Sequence, residues 1–481
     1  MNARQHDATQ APSRTPLWPT MLVVGAFVAA AVPLIVTQCE RGRGRFDQIN
    51  FHEPAILRFA EQLPTPDVSN YLSATTPGYH LVLAVVARTV STSPIVLQLA
   101  GSLFTVGLLA LFTRWLTPRI GAVLAAVLGL GLAGSLYVFS AGTFLLPDNA
   151  GWLGVLAMLV IALRPRFDRV TLMGGGAVLF ALVLARQSHL WTAGVLWAAA
   201  WLGDRFAPRV GVIGEIASLF EGIVSRLRRL VLALVAAAPA ILVLLWFRHI
   251  WGGGLTVPLY QNYMQGGNPA TPGFLLAEIA VIGVFHAGFW LMPGWDLLRT
   301  KPWMVGIAVL VGIALIVGPA TTYDMDAGRY SGLWNIARKF PTIAGRTNAL
   351  LLVLAPAGAA MVAAWLAAME ARNRWVMLAA LVGFAAAVSM IHNAWQRYHE
   401  PMLLMSTAIM SALAIRPEEQ PGGLIRFARW SGPVVLGLML AGVTVQKFRA
   451  EQPVTTPKEV QEGVDTPLRT LWPEHWDRIG R

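Results

Sequence analysis

The stretch Arg45-Phe46-Asp47-Gln48-Ile49-Asn50-Phe51-His52-Glu53-Pro54 sets two carboxylates and an imidazole close together. It lies in a polar segment, 38–77, that closes on Ala74-Thr75-Thr76-Pro77-Gly78-Tyr79-His80. A carboxylate at the edge of an apolar scaffold can take the proton of a hydroxyl as its oxygen attacks, which is general-base work. Asp47 is the candidate base, Glu53 its nearest rival, and His52 stands beside both. The alternative for Asp47 is a helix N-cap or an ion pair with Arg45. Pro54 suits a first helical turn. The helix it starts is expected to lay Ala55, Ile56, Leu57, Phe59 and Ala60 flat on a membrane surface.

Three other polar knots interrupt apolar runs. Phe144-Leu145-Leu146-Pro147-Asp148-Asn149-Ala150-Gly151 puts Asp148 at the head of an apolar helix, where an ionisable group is costly unless used or capped. Ala185-Arg186-Gln187-Ser188-His189-Leu190-Trp191 offers Arg186 as a partner for a phosphate or carboxylate, or as an arginine that snorkels to lipid headgroups. His392-Asn393-Ala394-Trp395-Gln396-Arg397-Tyr398-His399-Glu400-Pro401 sets Arg397 and His399 side by side as a phosphate clamp with an aromatic lid, or else forms a solvated connector. Asp324, Asp326, Arg329, Lys339 and Arg346 belong to a longer loop that either holds a lipid phosphate or covers the site. No metal-ligand spacing stands out.

What must position these groups is an apolar scaffold. Charged residues make up 13% of the chain and hydrophobic ones 56%, and mean hydropathy is +0.57. A soluble protein carries about 25% charged residues. The apolar runs are continuous rather than alternating, which excludes a β-barrel. The fold class is therefore an all-α polytopic membrane protein. Spans are expected near 18–37, 78–113, 120–140, 148–163, 171–185, 190–203, 230–247, 273–298, 303–320, 347–369, 375–391, 401–415 and 431–446, which makes about 13 crossings. The zone 78–113 must make one net crossing and is expected to hold a broken or re-entrant helix. No pair of broken helices in matching positions is evident elsewhere.

The net charge of +12 need not mean nucleic acid, and no nucleic-acid partner is expected. Arg164, Arg166, Arg169, Arg205, Arg209, Arg226, Arg228, Arg229, Arg299, Lys301, Arg372, Arg374, Arg416, Arg426 and Arg429 fall on one side, the cytoplasm by the positive-inside rule. The segments 38–77, 141–148, 186–189, 248–272, 321–346 and 392–400 fall on the other. Arg41, Arg43 and Arg45 break the rule, either as a local exception or as a cluster meeting anionic headgroups or phosphate.

The chain divides into a cytoplasmic tail, 1–17, a transmembrane domain, 18–446, and a polar tail, 447–481, with Trp472 and Trp476 at the outer interface. Within the domain, 204–229 is cytoplasmic, and its Ile213–Leu230 part is expected to rest on the membrane. The single Cys39 excludes an intrachain disulfide. Val36-Thr37-Gln38 is a poor lipobox, so lipidation of Cys39 is not expected. Segment 18–37 reads as a retained span rather than a signal peptide.

Taken in order, these motifs resemble one branch of the GT-C glycosyltransferases, that of the dolichyl-phosphate-glucose α-1,2-glucosyltransferase. Phe51-His52 matches the end of that family's Asp-Glu-x-Phe-His motif, and Thr75-Thr76-Pro77-Gly78-Tyr79 its Thr-Thr-Pro-Pro-Gly turn, one Pro short. Leu146-Pro147-Asp148 is comparable to its Tyr-Thr-Asp, and Arg186-Gln187-Ser188-His189-Leu190-Trp191 to its Arg-Gln-Thr-Asn before an aliphatic-Trp pair. Gln396-Arg397-Tyr398-His399 loosely resembles its Asn-Arg-His-Tyr. The acidic pair is not intact: Asp47 lies one residue further from His52 than the family's spacing, and Gln48 occupies the expected place.

The resemblance implies a GT-C-type bundle whose long first loop carries interfacial helices. It implies an inverting transfer from a polyprenyl-phosphate sugar to a hydroxyl of a glycan, lipid or protein. Asp47 would be the base, and Asp148 would help hold the acceptor or Asp47 itself. Arg186, Arg397 and His399 would stabilise the leaving phosphate, while Thr75, Thr76, Gln187, His189 and Tyr398 would contact substrate. It implies no cofactor and no obligatory metal. The Arg-heavy basic set and the Ala/Gly/Leu bias look bacterial, which places the protein in the inner membrane with its site facing the periplasm. The competing classes are a lipid or lipid-linked-sugar transporter, and a ligase or acyltransferase using the same carriers.

Overall fold

Apolar length decides most of the elements. The structure is a computed structural model that describes residues 15–204, 206, 209, 211–261, 266–415 and 422–450. Among these, six helices are long and apolar enough to cross a membrane: Trp18–Val36, Pro94–Ile120, Ile223–Ile250, Ala349–Ala368, Ala371–Ser389 and Gly423–Ala450. Two bent pairs raise the number to eight, Ala122–Gly134 with Leu136–Thr143 (68°) and Thr271–Val284 with Ala287–Thr300 (111°). Asp148–Ala162, Arg169–Ala185, Pro302–Val317 and Glu400–Ala414 are apolar but shorter. At 1.5 Å per residue, a helix needs about 20 residues to cross the hydrocarbon core.

Several expectations change here. The runs 120–140 and 273–298, expected as single spans, are the two bent pairs. The first breaks at Ser135, whose backbone turns extended (φ −59°, ψ 131°). At the second break, Gly432 is packed onto the Phe285 carbonyl and Gly288 onto the backbone of Ala428 and Arg429. That close approach seats the second arm against Gly423–Ala450. The zone 78–113 is broken as expected, and its helix Gly78–Thr89 has 12 residues and spans about 18 Å, too short to cross. The crossing belongs to Pro94–Ile120, which begins at the Ser93-Pro94 break.

The helix Glu53–Gln62 has Pro54 in its first turn. Its apolar face does not lie on a membrane: Ile56, Phe59 and Ala60 are buried with Tyr71, Tyr79 and Leu83 in a local core. The 213–230 stretch is not one surface helix either. Gly222 takes φ +63° and separates Val212–Ser218 from Ile223–Ile250. Arg226 is folded back, donating to the carbonyls of Glu221, Trp201 and Ser218. The last helix runs to Ala450. Residues 451–481, including Trp472 and Trp476, lie outside the described residues, as do 1–14, Arg205 and Arg416.

The polar segments sort to the two ends of the bundle. At one end Gln187 donates to the carbonyls of Ala74 and Leu255, Trp251 to Val68, Asn268 to Ala327 and His392, and Trp334 to Ala394. At the other end Arg372 donates to the carbonyls of Gly203 and Ala162, and Arg374 pairs with Glu215 at 2.9 Å. Between them lies a core of Leu, Val, Ala and Phe contributed by most of the helices.

Candidate functional site

The first loop starts with a short helix, Arg43–Asp47, entered through Gly42 at φ +97°. It runs into a π-helical turn, Gln48–His52, that buries Gln48, Asn50 and His52. Asp47 stays at the rim, its side chain 16% exposed, and its Oδ2 accepts from an Arg397 guanidinium nitrogen at 2.5 Å. Arg397 sits in a single 3-10 turn, Gln396–Tyr398.

Asp148 opens the helix Asp148–Ala162, yet its side chain caps nothing. Its two oxygens serve two cations: Oδ1 accepts from Arg186 at 2.7 Å and Oδ2 from Arg397 at 3.0 Å. Arg186 ends Arg169–Ala185 in extended backbone, and its guanidinium lies 5.1 Å from the Tyr398 ring centre. So Asp47, Arg397, Asp148 and Arg186 form one chain of alternating charge, joined by charge-assisted hydrogen bonds. Asp148 is the innermost member, 6% exposed against 14% for Arg186 and 22% for Arg397. Burial works against the charge of Arg397, but Asp148 and then Asp47 outweigh it and hold the guanidinium well above its ordinary range.

The remaining expected residues lie around this chain rather than in it. Thr76 and Gln187 brace its walls: the Thr76 hydroxyl donates to the Val183 carbonyl, and the Gln187 side chain accepts from the Thr76 amide. The Thr75 hydroxyl meets that of Ser73 at 3.0 Å. Glu53 accepts from Gln48 at 2.9 Å, and the Gln48 carbonyl oxygen accepts from the Leu145 amide. His52 faces His80, ring nitrogen to ring nitrogen at 2.9 Å. His189 is buried edge-on to Trp152. His399 does not stand with Arg397. It is buried, edge-on to Phe274 and Phe384, with Nδ1 3.2 Å from Glu278.

Burial, aided by Arg397, lowers His52 to about 3. Burial with Arg186 does the same to His189, and burial alone to His399. Burial thus favours the neutral imidazole for all three near pH 7. The unfolded imidazole takes a proton near 6.5 that the folded one refuses. Stability contributed by neutral His52 is thus present above 6.5 and falls as pH drops toward about 3, by about 1.4 kcal/mol per pH unit. We expect the thermal midpoint of wild type to fall more steeply between pH 6.5 and 4.5 than that of His52→Asn. Parallel curves would contradict this.

The sequence reading missed Glu278, Glu400 with Ser135, and His80 as the partner of His52. Glu278 was findable, as a carboxylate inside the apolar run 273–298. Among the described residues no group of three or more His, Cys, Asp or Glu is placed to hold a metal ion.

No family model matches the chain. Two curated proteins, each a Multidrug resistance protein B homolog from a Mycobacterium tuberculosis strain, are 25% identical over 227 residues, 44% of this chain and 37% of theirs. The chain thus aligns with little more than a third of their length. Two solved structures of ArnT from Cupriavidus metallidurans align at 15% identity. The one bound to undecaprenyl phosphate covers 89% of each chain with a TM-score of 0.37. The apo one covers 87% of this chain and 77% of that with 0.30. At those scores the likeness defines neither the fold nor the chemistry of this chain.

Proposed function

We propose that this chain is a multi-pass membrane glycosyltransferase of GT-C type, moving a sugar from a polyprenyl-phosphate carrier to an acceptor hydroxyl. The observation that carries the reading is the joining of Asp47, Arg397, Asp148 and Arg186 at one end of an apolar bundle. Asp47 and Arg397 are 350 positions apart. A base and two guanidiniums in one place, beside the membrane, suit a hydroxyl nucleophile and a lipid phosphate leaving group. The motif resemblance adds its order to that geometry. The Arg-rich opposite end marks the cytoplasm by the positive-inside rule, so the site faces outward, into the periplasm of a bacterial inner membrane.

The reaction is a single displacement with inversion. The acceptor oxygen attacks the anomeric carbon and gives its proton to Asp47. The bond from that carbon to the phosphate oxygen breaks, and its electron pair leaves on the lipid phosphate. Arg397 and Arg186 stabilise the phosphate charge. Asp148 holds both guanidiniums in register, a role the sequence assigned differently, to the acceptor or to Asp47. The donor phosphate takes over the Arg397 contact now made by Asp47 and frees that carboxylate for the proton.

The test is purified protein in nanodiscs with radiolabelled polyprenyl-phosphate sugars and a crude lipid and glycan extract. Label is expected to leave the carrier. If label stays on every carrier while the protein moves those lipids between leaflets, the transporter reading replaces this one. Two observations favour that second reading: the partial match to the multidrug resistance homologs and the two bent helix pairs, a feature that transporters place at binding sites.

A further inference from the structure

We infer that Gln396, Glu400 and Ser135 form a positioning linkage that sets Arg397 in the proposed anion site. The inference rests on the transferase reading for its purpose, and on a separate set of contacts for its geometry. Arg397 must reach two carboxylates on different elements at once, Asp47 and Asp148. Its own turn holds only Gln396–Tyr398 and has no side-chain cap. Such a turn cannot fix a guanidinium to a few tenths of an ångström by itself.

The neighbouring amide does. Gln396 Oε1 accepts from the Leu333 amide at 2.9 Å, and Gln396 Nε2 donates to Glu400 Oε2 at 2.5 Å. The other oxygen of Glu400 accepts from the Ser135 hydroxyl at 2.6 Å. Ser135 is the break between Ala122–Gly134 and Leu136–Thr143. The linkage therefore runs from the 321–346 loop, through the turn that carries Arg397, to the bend of a helix pair. Glu400 and Ser135 are both buried. Glu400 is the sole charged residue of Glu400–Ala414, where a carboxyl costs stability. A glycine at 332 with φ +59° lets the loop approach, because a β-carbon there would collide with Gln396 Oε1. None of these groups touches Asp47, Asp148 or Arg186 in the contacts above, so they act through Arg397.

The hydrogen-bond polarity makes a sharp test. Glu400→Met keeps the side-chain length and removes both acceptors, so it opens the contacts to Gln396 and Ser135. Glu400→Gln keeps both: its oxygen accepts from Gln396 Nε2, and its nitrogen donates to the Ser135 hydroxyl, which can accept as well as donate. The readout is the rate at which phenylglyoxal labels Arg397 in the unliganded full-length protein, followed by peptide mass spectrometry. In Glu400→Met, labelling is expected to rise about tenfold, the change in open population that one lost hydrogen bond gives. Glu400→Gln is expected to keep the wild-type rate. A wild-type rate in Glu400→Met, or Glu400→Gln labelled as fast as Glu400→Met, overturns the linkage. Arg372, buried at the opposite end, reports the whole fold: a matching rise there means that Glu400 holds the bundle rather than the turn, which also overturns it. Protection of wild-type Arg397 by decaprenyl phosphate is a separate arm. Its absence counts against the transferase reading, while labelling without lipid decides the linkage.

Discussion

Asp148→Asn is expected to destabilise the protein by about 3–5 kcal/mol, the range for removing one partner of a buried ion pair. Asp148 is 6% exposed and shared by two guanidiniums, so solvent screening gives little relief. An asparagine oxygen can still accept from one arginine, but its amide nitrogen then points a donor at the other. Arg397 keeps Asp47, whereas Arg186 loses its carboxylate and leans on Tyr398 alone among the contacts described above. The measurement is the thermal midpoint in nanodiscs, with the double variant Asp148→Asn/Arg186→Gln alongside. The second change removes the stranded charge and is expected to recover much of the midpoint without restoring transfer. If Asp148→Asn melts with wild type, Asp148 is a passive helix residue and the shared-carboxylate role fails.

The four members of that cluster were legible in the sequence because each is a charge in a polar stretch that interrupts the apolar runs, and at the head or foot of such a run, as at Asp148 and Arg186, a charge is conspicuous and costly. Their meeting was legible only as far as the loops share an end. What the sequence hid has physical causes. Asp47 stands one residue further from His52 than in the family that the motifs resemble, and the structure places a π-helical turn over Gln48–His52. A π turn takes up one residue within a helix without ending it. The break at Phe285-His286 carries no proline at the bend, and the glycine packed onto Phe285 lies far along the chain, at 432. Runs such as 190–203, expected as spans, fold as short helices: Thr192–Leu202 has 11 residues. The apolar face of Glu53–Gln62 fitted a membrane and a protein surface equally well. Only the packing of Tyr71 and Tyr79 against it distinguishes the two.

Asp47→Asn is expected to lower transfer by about 10²–10⁴-fold, the usual worth of a general base, while the fold and donor binding persist. The substitution is nearly isosteric, and its side-chain oxygen still accepts from Arg397, so the turn that carries the arginine keeps a partner. What disappears is the capacity to take a proton. The loss should therefore fall on kcat, with KM for the polyprenyl-phosphate sugar little changed. Glu53 supplies the internal comparison. Its described contact is with the Gln48 amide, outside the chain of charges formed by Asp47, Arg397, Asp148 and Arg186. Glu53→Gln is accordingly expected to lose far less than Asp47→Asn. A reversal of that order would move the base from Asp47 to Glu53. Equal retention of activity by both variants would remove the first loop from the chemistry, since no other carboxylate in its π turn or the helix start that follows stands beside Arg397.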